Sequence, residues 1–254
     1  MLYYEKINNN SDKWVLFIHG LGGSIETWKY QLEDFRSYNI IRVDLMGHGK
    51  SALVKGSADT ATVKEIKAIL DENGIDMVNI VSLSLGTLVA VEFAHLYPEM
   101  TGSIILGGSI LNLSLSRKML LGFVRILWFL PARWIYSIFA RIMLPNENHK
   151  KSRRIFVRES LKMKNSAFWA WLSAISPSKK KLASLLDTLK ARLNRVLFIS
   201  GDEDFMFLPG IRNLKEKLHS CRIELLKKCG HICSIEQHEK FDRLSLQFLA
   251  DTAR

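Results

Sequence analysis

The first 110 residues alternate between short, continuous apolar runs and stretches with helical spacing. The apolar runs predict buried strands at 14–18, 40–43, 78–82 and 103–106. Apolar residues recur at helical spacing over 60–73, and Gly74 is placed to end that helix. A second helix is predicted over 85–97, before Pro98. Strands that alternate with helices predict right-handed crossovers and a largely parallel sheet.

The pattern becomes purely helical after residue 110. Residues 119–144 are rich in Leu, Ile, Phe and Trp and predict two helices separated at Pro131. Further helices are predicted at 150–176, 179–192 and 241–250, and strands return at 195–200 and 222–226. We therefore predict an α/β core formed by 1–110 and 193–254, interrupted by a helical cap over 111–192.

The sequence SLSLG at residues 82–86 follows one predicted strand and opens a predicted helix. This context is required of a nucleophile elbow, in which a sharp turn exposes a serine Oγ above the sheet. Ser84 is the candidate nucleophile. Ser82 stands where the usual pattern has glycine, and it is the next smallest residue that a crowded turn would tolerate. Taken alone, the motif is a weak signal, and an ordinary surface turn is the more common structure for it.

The sequence HGLGG at residues 19–23 ends the first of these predicted strands. A developing oxyanion needs about two preorganised donors, and glycines let the main chain approach it closely. The backbone amides of Leu21 and Leu85 are the candidate donors. A glycine turn without a catalytic role is the alternative.

An acid and a histidine follow the last two predicted strands. The sequence GDED at 201–204 offers Asp204, with Asp202 as the main competitor, and Gly230 is followed by His231. The order Ser84, Asp204, His231 is that of the α/β-hydrolase triad. Serine is a poor nucleophile at neutral pH, so it needs a histidine base and a carboxylate that fixes the tautomer of that base.

Together these motifs make the sequence resemble the α/β-hydrolase superfamily. The matching segments are HGLGGS at 19–24, DLMGHGKS at 44–51, SLSLG at 82–86, GDED at 201–204 and GH at 230–231. The resemblance implies the α/β-hydrolase fold, with a mostly parallel central sheet and a helical cap inserted after the sixth strand. It favours Asp204 as the acid and a structural role for His48.

The resemblance also bears on the reaction. Haloalkane dehalogenases and epoxide hydrolases of this fold use a carboxylate nucleophile at the position of Ser84, so the serine implies acyl transfer instead. Esterases that cleave pimeloyl-acyl-carrier-protein methyl ester are similar in architecture, and they imply docking of a carrier through cap arginines.

Composition adds one feature, the distribution of charge. At 48% hydrophobic and 24% charged the composition is globular. The 254 residues include 36 Lys and Arg against 25 Asp and Glu, a formal net charge of +11. Residues 110–181 contain 15 of the basic residues and two acidic ones, Glu147 and Glu159, a net charge of +13. The remainder has 21 basic and 23 acidic residues, a net charge of −2. The predicted cap is therefore the basic part of a mildly acidic protein.

Several explanations of this basic cap remain open. A solvated cationic face needs no partner. The charge also suits an acidic acyl carrier, the phosphates of coenzyme A, or an anionic lipid surface that adsorbs cationic, Trp-rich helices. Nucleic acid is not expected, because no binding module accompanies the charge.

The large apolar residues of the cap are expected to form its own core, with some facing an apolar acyl pocket. They are Phe123, Leu127, Trp128, Phe129, Trp134, Phe139, Phe168, Trp169 and Trp171.

No cofactor or metal is expected. Cys229, His231 and Cys233 do not have the spacing of a common zinc site. Three cysteines cannot all pair, residues 1–10 lack a basic region followed by an apolar one, and no run of about 18 uncharged apolar residues occurs. We expect reduced thiols and a cytoplasmic protein, with peripheral membrane contact open.

The sequence thus predicts a serine hydrolase that cleaves carboxylic esters through an acyl-enzyme. A thioesterase or esterase acting on carrier-bound or coenzyme A-bound acyl groups is one alternative. A non-catalytic, membrane-associated binding protein on a hydrolase scaffold is the other.

Overall fold

A single seven-stranded sheet organises the residues that the structure describes, which in this computed structural model are 1–53, 58–111, 132–175, 178–218 and 221–252. The strands are β1 Tyr4–Ile7, β2 Trp14–Ile18, β3 Asn39–Val43, β4 Val78–Leu83, β5 Thr101–Gly107, β6 Val196–Gly201 and β7 Arg222–Leu226. Their spatial order is β1-β3-β2-β4-β5-β6-β7. All neighbouring pairs are parallel except β1 with β3.

The central strands are the apolar runs identified in the sequence, because a parallel sheet covered by helices buries both of its faces. Every residue of β3, β5 and β6 is buried. The edge strand β1 was not predicted, since its sequence YEKI is short and largely polar. It pairs antiparallel with β3, where Arg42 forms an ion pair with Glu5.

The helices are α1 Gln31–Asp34, α2 Ala58–Glu72, α3 Leu85–Leu96, α4 Ala132–Met143, α5 Lys150–Ser160, α6 Asn165–Ala174, α7 Lys179–Ala191, α8 Leu208–Lys217, α9 Cys233–Glu236 and α10 His238–Thr252. Helix α3 packs against β2, β4 and β5, and α10 packs against β5, β6 and β7. Within the described ranges, no helix is long and apolar enough to cross a membrane.

Most predicted helices are present with slightly different ends. The single helix predicted over 150–176 is two helices, α5 and α6, separated at 161–164. Helix α8 was not predicted. The helix predicted over 119–131 lies outside the described residues.

Helices α4 to α7 lie between β5 and β6 in the chain. The strand before them is the fifth of those that the structure describes, one fewer than the resemblance suggested. The last of the four, α7, packs on α3. There Lys181 forms ion pairs with Asp59 and, at 2.8 Å, with Glu92.

Candidate active site

Ser84 occupies a strained turn between β4 and α3. Its backbone has φ 53° and ψ −117°, a left-handed region that residues with a Cβ rarely adopt. The Ser84 N–H donates to the Gly107 carbonyl at 2.8 Å, and the Ser84 carbonyl accepts from the Thr87 hydroxyl at 2.6 Å. The turn is therefore fixed from both sides, as a nucleophile elbow requires.

Close main-chain contacts explain the glycine at 86. A Cβ there would meet the carbonyl oxygens of Ile18 and His19, the latter at 2.7 Å. Ser82 tolerates a side chain because its Oγ donates to the Ile105 carbonyl at 2.9 Å. The departure from the usual glycine at this position is thus accommodated by a hydrogen bond to the neighbouring strand.

Three predicted site residues come together above the sheet. The Ser84 Oγ lies 2.8 Å from His231 Nε2, and His231 Nδ1 lies 2.8 Å from Asp204 Oδ2. His231 and Asp204 are almost completely buried. The other oxygen of Asp204 accepts from the Phe207 N–H at 3.1 Å, and the Phe207 ring packs on His231. This geometry places the Nδ1 proton on the side of Asp204 and leaves Nε2 to accept from the serine.

Asp202, the competing acid, lies elsewhere in the same loop. Its side chain accepts from the Cys229 N–H at 3.4 Å and lies 3.9 Å from the Lys227 ammonium. No hydrogen bond joins it to His231 among the described residues. Of the two candidates, the structure brings Asp204 to the histidine.

A buried carboxylate supports the His231 loop and was not predicted. Glu236 accepts from the N–H groups on either side of the histidine, Gly230 at 2.9 Å and Ile232 at 3.2 Å. Burial raises the pKa of Glu236. His149, at the start of α5, lies 2.8 Å from Glu203 and 3.6 Å from Glu236, so it bridges the loops that carry the acid and the base. The contacts of His149 join segments that are distant in the chain, so no local motif marks them.

The amides predicted for the oxyanion lie beside Ser84. Gly20 is packed so closely on the serine that a Cβ would lie 3.0 Å from Ser84 Cβ. The N–H groups of Leu21 and Leu85 have no hydrogen-bond partner within the described part of the chain. The Leu21 carbonyl accepts from the hydroxyl of Tyr136 on α4, and burial raises the pKa of that phenol, which keeps it a donor.

Two buried histidines join this loop to the loop that follows β3. His48 Nε2 accepts from the Gly22 N–H at 3.0 Å, and His19 Nε2 accepts from the Leu45 N–H at 3.0 Å. Each Nδ1 therefore carries the proton. Burial lowers the pKa of His19 to about 4 and that of His48 to about 3, so both are neutral at pH 7. The contacts of His48 are those of a structural residue.

Stability is expected to fall in acid because of these neutral histidines. An unfolded histidine has a pKa of about 6.5, so below that pH the unfolded chain binds a proton that folded His48 does not. In His48→Gln a non-titrating oxygen can accept from Gly22. We expect the stability advantage of the wild type over this variant to shrink by about 2 kcal/mol between pH 7 and pH 4.5.

Urea unfolding of both proteins at the two pH values measures this difference. The comparison cancels groups common to both proteins, including Asp242, whose pKa burial raises to about 7. Parallel pH profiles for the two proteins would contradict the assignment.

A cavity of about 250 Å³ opens above Ser84 and His231, between the loop 20–30 and α5. Its apolar wall consists of Leu21, Leu83, Ile155, Phe156, Ile232 and Ile235. Arg158 and Lys162 also line the cavity and are more than half exposed, and both pair with the largely buried Glu159. The cavity thus combines a largely apolar wall with exposed cations that are paired with one buried carboxylate.

The aromatic residues singled out in the cap do not line this cavity where the structure describes them. Trp171 is buried, donates to the Met46 carbonyl at 2.7 Å and packs on His48, whereas Trp134 is exposed. Phe156, which the sequence did not single out, lines the cavity instead. Phe123, Leu127, Trp128 and Phe129 lie outside the described residues.

The three cysteines are buried free thiols. Burial raises the pKa of Cys229 and of Cys233. Within the described ranges, no group of three His, Cys, Asp or Glu side chains could hold a metal ion. Both ring nitrogens of His231 face Asp204 and Ser84 instead.

A mostly parallel sheet with a serine elbow after its central strand defines the class of protein, an α/β hydrolase. The chain belongs to the alpha/beta hydrolase family, whose model matches residues 15–244. It is accordingly a hydrolytic enzyme of that family.

Individual relatives are distant but cover nearly the whole chain. The 2-hydroxy-6-oxononadienedioate/2-hydroxy-6-oxononatrienedioate hydrolase of Paraburkholderia phymatum is 28% identical, with 98% of this chain and 90% of that protein aligned. A carboxylesterase of Nitrososphaera gargenis superimposes with a TM-score of 0.82 at 20% identity, covering 99% of this chain and 95% of the other. MenH of S. aureus superimposes with a TM-score of 0.77 at 18% identity and full coverage of both chains. The structural matches show the shared fold.

Proposed function

We propose that the protein is a serine hydrolase that cleaves carboxylic esters through an acyl-enzyme intermediate. The observation that carries this proposal is the hydrogen-bonded chain from Ser84 Oγ through His231 to Asp204, with 2.8 Å at each step, at the base of an apolar cavity. An isolated serine is a weak nucleophile, and a base in contact with its hydroxyl is what activates it.

In the first half of the reaction, His231 Nε2 takes the Ser84 proton as Oγ attacks the acyl carbon. The ester C–O bond then breaks, and the leaving alkoxide takes that proton from His231. In the second half, water gives a proton to His231 and attacks the acyl carbon. The bond to Oγ breaks, the serine regains its proton, and the carboxylic acid leaves. Asp204 remains ionised and stabilises the imidazolium in both halves.

The Leu21 and Leu85 amides are proposed to bind the oxyanion. Leu85 directly follows Ser84, and Leu21 follows Gly20, which is packed on the serine. Neither N–H has another hydrogen-bond partner in the described part of the chain. Donors that are already in place need no reorganisation when negative charge develops on the substrate oxygen.

An uncharged acyl group is the substrate portion that fits the cavity. Hydrolases of the oxononadienedioate type act on dicarboxylates, whose inner carboxylate would need a buried cation. The cations that line this cavity, such as Arg158 and Lys162, are more than half exposed. The apolar wall therefore favours an aliphatic or aromatic acyl chain.

An active-serine phosphonate probe tests the proposal. We expect the probe to label the wild-type protein once, with the added mass on the peptide that contains Ser84, and not to label Ser84→Ala. The cysteines are a poor competing target, because they are buried and their thiolates are disfavoured. A protein that resists labelling yet binds anionic vesicles would instead be a binding protein on a hydrolase scaffold.

A further inference from the structure

A second cavity of about 540 Å³ adjoins the active-site cavity on the outer side of α5. The two cavities share Lys29, Tyr30, Ile155 and Arg158 in their linings. A molecule held in the second cavity would therefore meet the mouth of the first. We name this second cavity the basic groove.

The groove is lined by far more positive than negative charge. Its basic residues are Lys29, Lys150, Lys151, Arg154 and Arg158, against a single acid, Glu147. Arg158 is paired with Glu159 at 3.2 Å, and the Lys29 ammonium lies over the Tyr30 ring at 5.0 Å. The other three basic side chains form no ion pair with a described residue.

The spacing of these charges on α5 opposes the stability of the helix itself. Lys150, Arg154 and Arg158 are four residues apart in turn, so like charges stack on one helical face. Each such pair destabilises an isolated helix by about 0.2–0.5 kcal/mol. A bound anion would relieve this repulsion, whereas no carboxylate among the described residues lies against Lys150 or Arg154.

We propose that the basic groove binds the phosphates of a thiol-bearing nucleotide of the coenzyme A type, while its acyl chain enters the active-site cavity. The proposal rests on the proposed function and extends its substrates to acyl thioesters. One phosphate monoester carries about 1.5 to 2 negative charges near pH 7, which leaves much of the lining charge uncompensated. A ligand with several phosphates matches the charge of the groove better.

The position of the groove favours such a ligand over a lipid surface, because the groove shares part of its lining with the active-site cavity. Small-molecule sites have volumes of about 300–1,000 Å³, and the groove lies within that range. A phosphorylated thiol fills both cavities with one continuous molecule.

The chemistry follows the ester reaction with a different leaving group. Ser84 Oγ attacks the thioester carbon, the C–S bond breaks, and the thiolate takes the proton that His231 received from the serine. Water then cleaves the acyl-serine ester as described above. The products are a free thiol and a carboxylic acid, and no oxidant or reductant takes part.

Two thioesters of one acyl chain test the proposal, hexanoyl-coenzyme A and S-hexanoyl-N-acetylcysteamine, which has the same reacting group without phosphates. We expect the wild type to have a KM at least about tenfold lower for the coenzyme A thioester. The double variant Lys151→Gln/Arg154→Gln should lower the ratio of kcat/KM between the two substrates about tenfold, mainly through KM.

The matched control is Arg141→Gln/Lys164→Gln, which removes the same charge from exposed cap positions outside both cavities. Its substrate ratio should stay within twofold of the wild type. Equal KM values for the two thioesters, or equal losses in both double variants, would overturn the proposal. Binding to an acyl carrier protein or to phosphatidylserine vesicles that added coenzyme A does not displace would also overturn it.

Calorimetric titration of Ser84→Ala with coenzyme A separates this proposal from the proposed function. If Lys151→Gln/Arg154→Gln abolishes the binding of coenzyme A, the groove proposal is supported even when neither thioester is hydrolysed. In that case the proposed function fails alone. Hydrolysis of neutral esters without binding of coenzyme A has the opposite meaning, and the groove proposal fails alone.

Discussion

Replacing Ser84 with alanine is expected to lower kcat for an activated ester about 10⁶-fold, because removal of a triad serine eliminates the covalent route entirely. The side chain lies 2.8 Å from His231 Nε2, and the alanine methyl group can neither attack the acyl carbon nor exchange a proton with the base. Some acceleration over the uncatalysed reaction should remain, because the proposed oxyanion donors are main-chain groups. Steady-state kinetics with p-nitrophenyl butyrate measures the loss.

Ser82→Ala is the matched control for this variant. Ser82 belongs to the same motif, but its hydroxyl donates to the Ile105 carbonyl and is fully buried in the sheet. Its removal should cost about 1 kcal/mol of stability and leave kcat within a few fold of the wild type. Comparable kcat values for Ser84→Ala and the wild type would refute the serine mechanism.

Asp204→Asn is expected to lower kcat about 10⁴-fold, the second largest effect. Asp204 Oδ2 accepts from His231 Nδ1 at 2.8 Å and so keeps the proton on that nitrogen. An asparagine amide in the same place can present its NH₂ group to Nδ1, which then stabilises the wrong tautomer and removes the charge that faces the imidazolium. The loss should appear in kcat for every ester tested.

Asp202→Asn controls for a general effect of charge removal from this loop. Asp202 is partly exposed and contacts Cys229 and Lys227 instead of the histidine. We expect its kcat to remain within a few fold of the wild type. The reverse ranking of the two variants would show that Asp202 is the functional acid.

The motifs anticipated the arrangement of the site because its main elements are local. The elbow depends on a strand, a turn and a helix within 78–96, and a serine at such a turn is set by the backbone around it. Asp204 and His231 likewise follow strands that are adjacent in a parallel sheet, so their loops meet at the same edge. Chain order and strand periodicity indicated which loops meet, and the resemblance to the α/β hydrolases favoured Asp204 over Asp202.

Contacts between segments that are distant in the chain could not be predicted from the sequence. Phe156 faces the cavity, and His149 lies 2.8 Å from Glu203, only because the fold brings α5 to those places. The division of the 150–176 segment into two helices was missed for a related reason. Helical propensity continues through 161–164, and tertiary packing sets where each helix ends.

The hydrogen bond from Tyr136 to the Leu21 carbonyl also links the cap to the proposed oxyanion site. It connects α4 to the loop that carries one proposed oxyanion donor, and the lack of a side chain at Gly22 is what lets the phenol reach that loop. Displacement of α4 from the core would remove one of the two hydrogen bonds on the peptide between Leu21 and Gly22 and leave the bond from the Gly22 N–H to His48. The cap and the buried His48 thus share the positioning of this loop, so loss of the cap contact alone should weaken transition-state stabilisation without abolishing it.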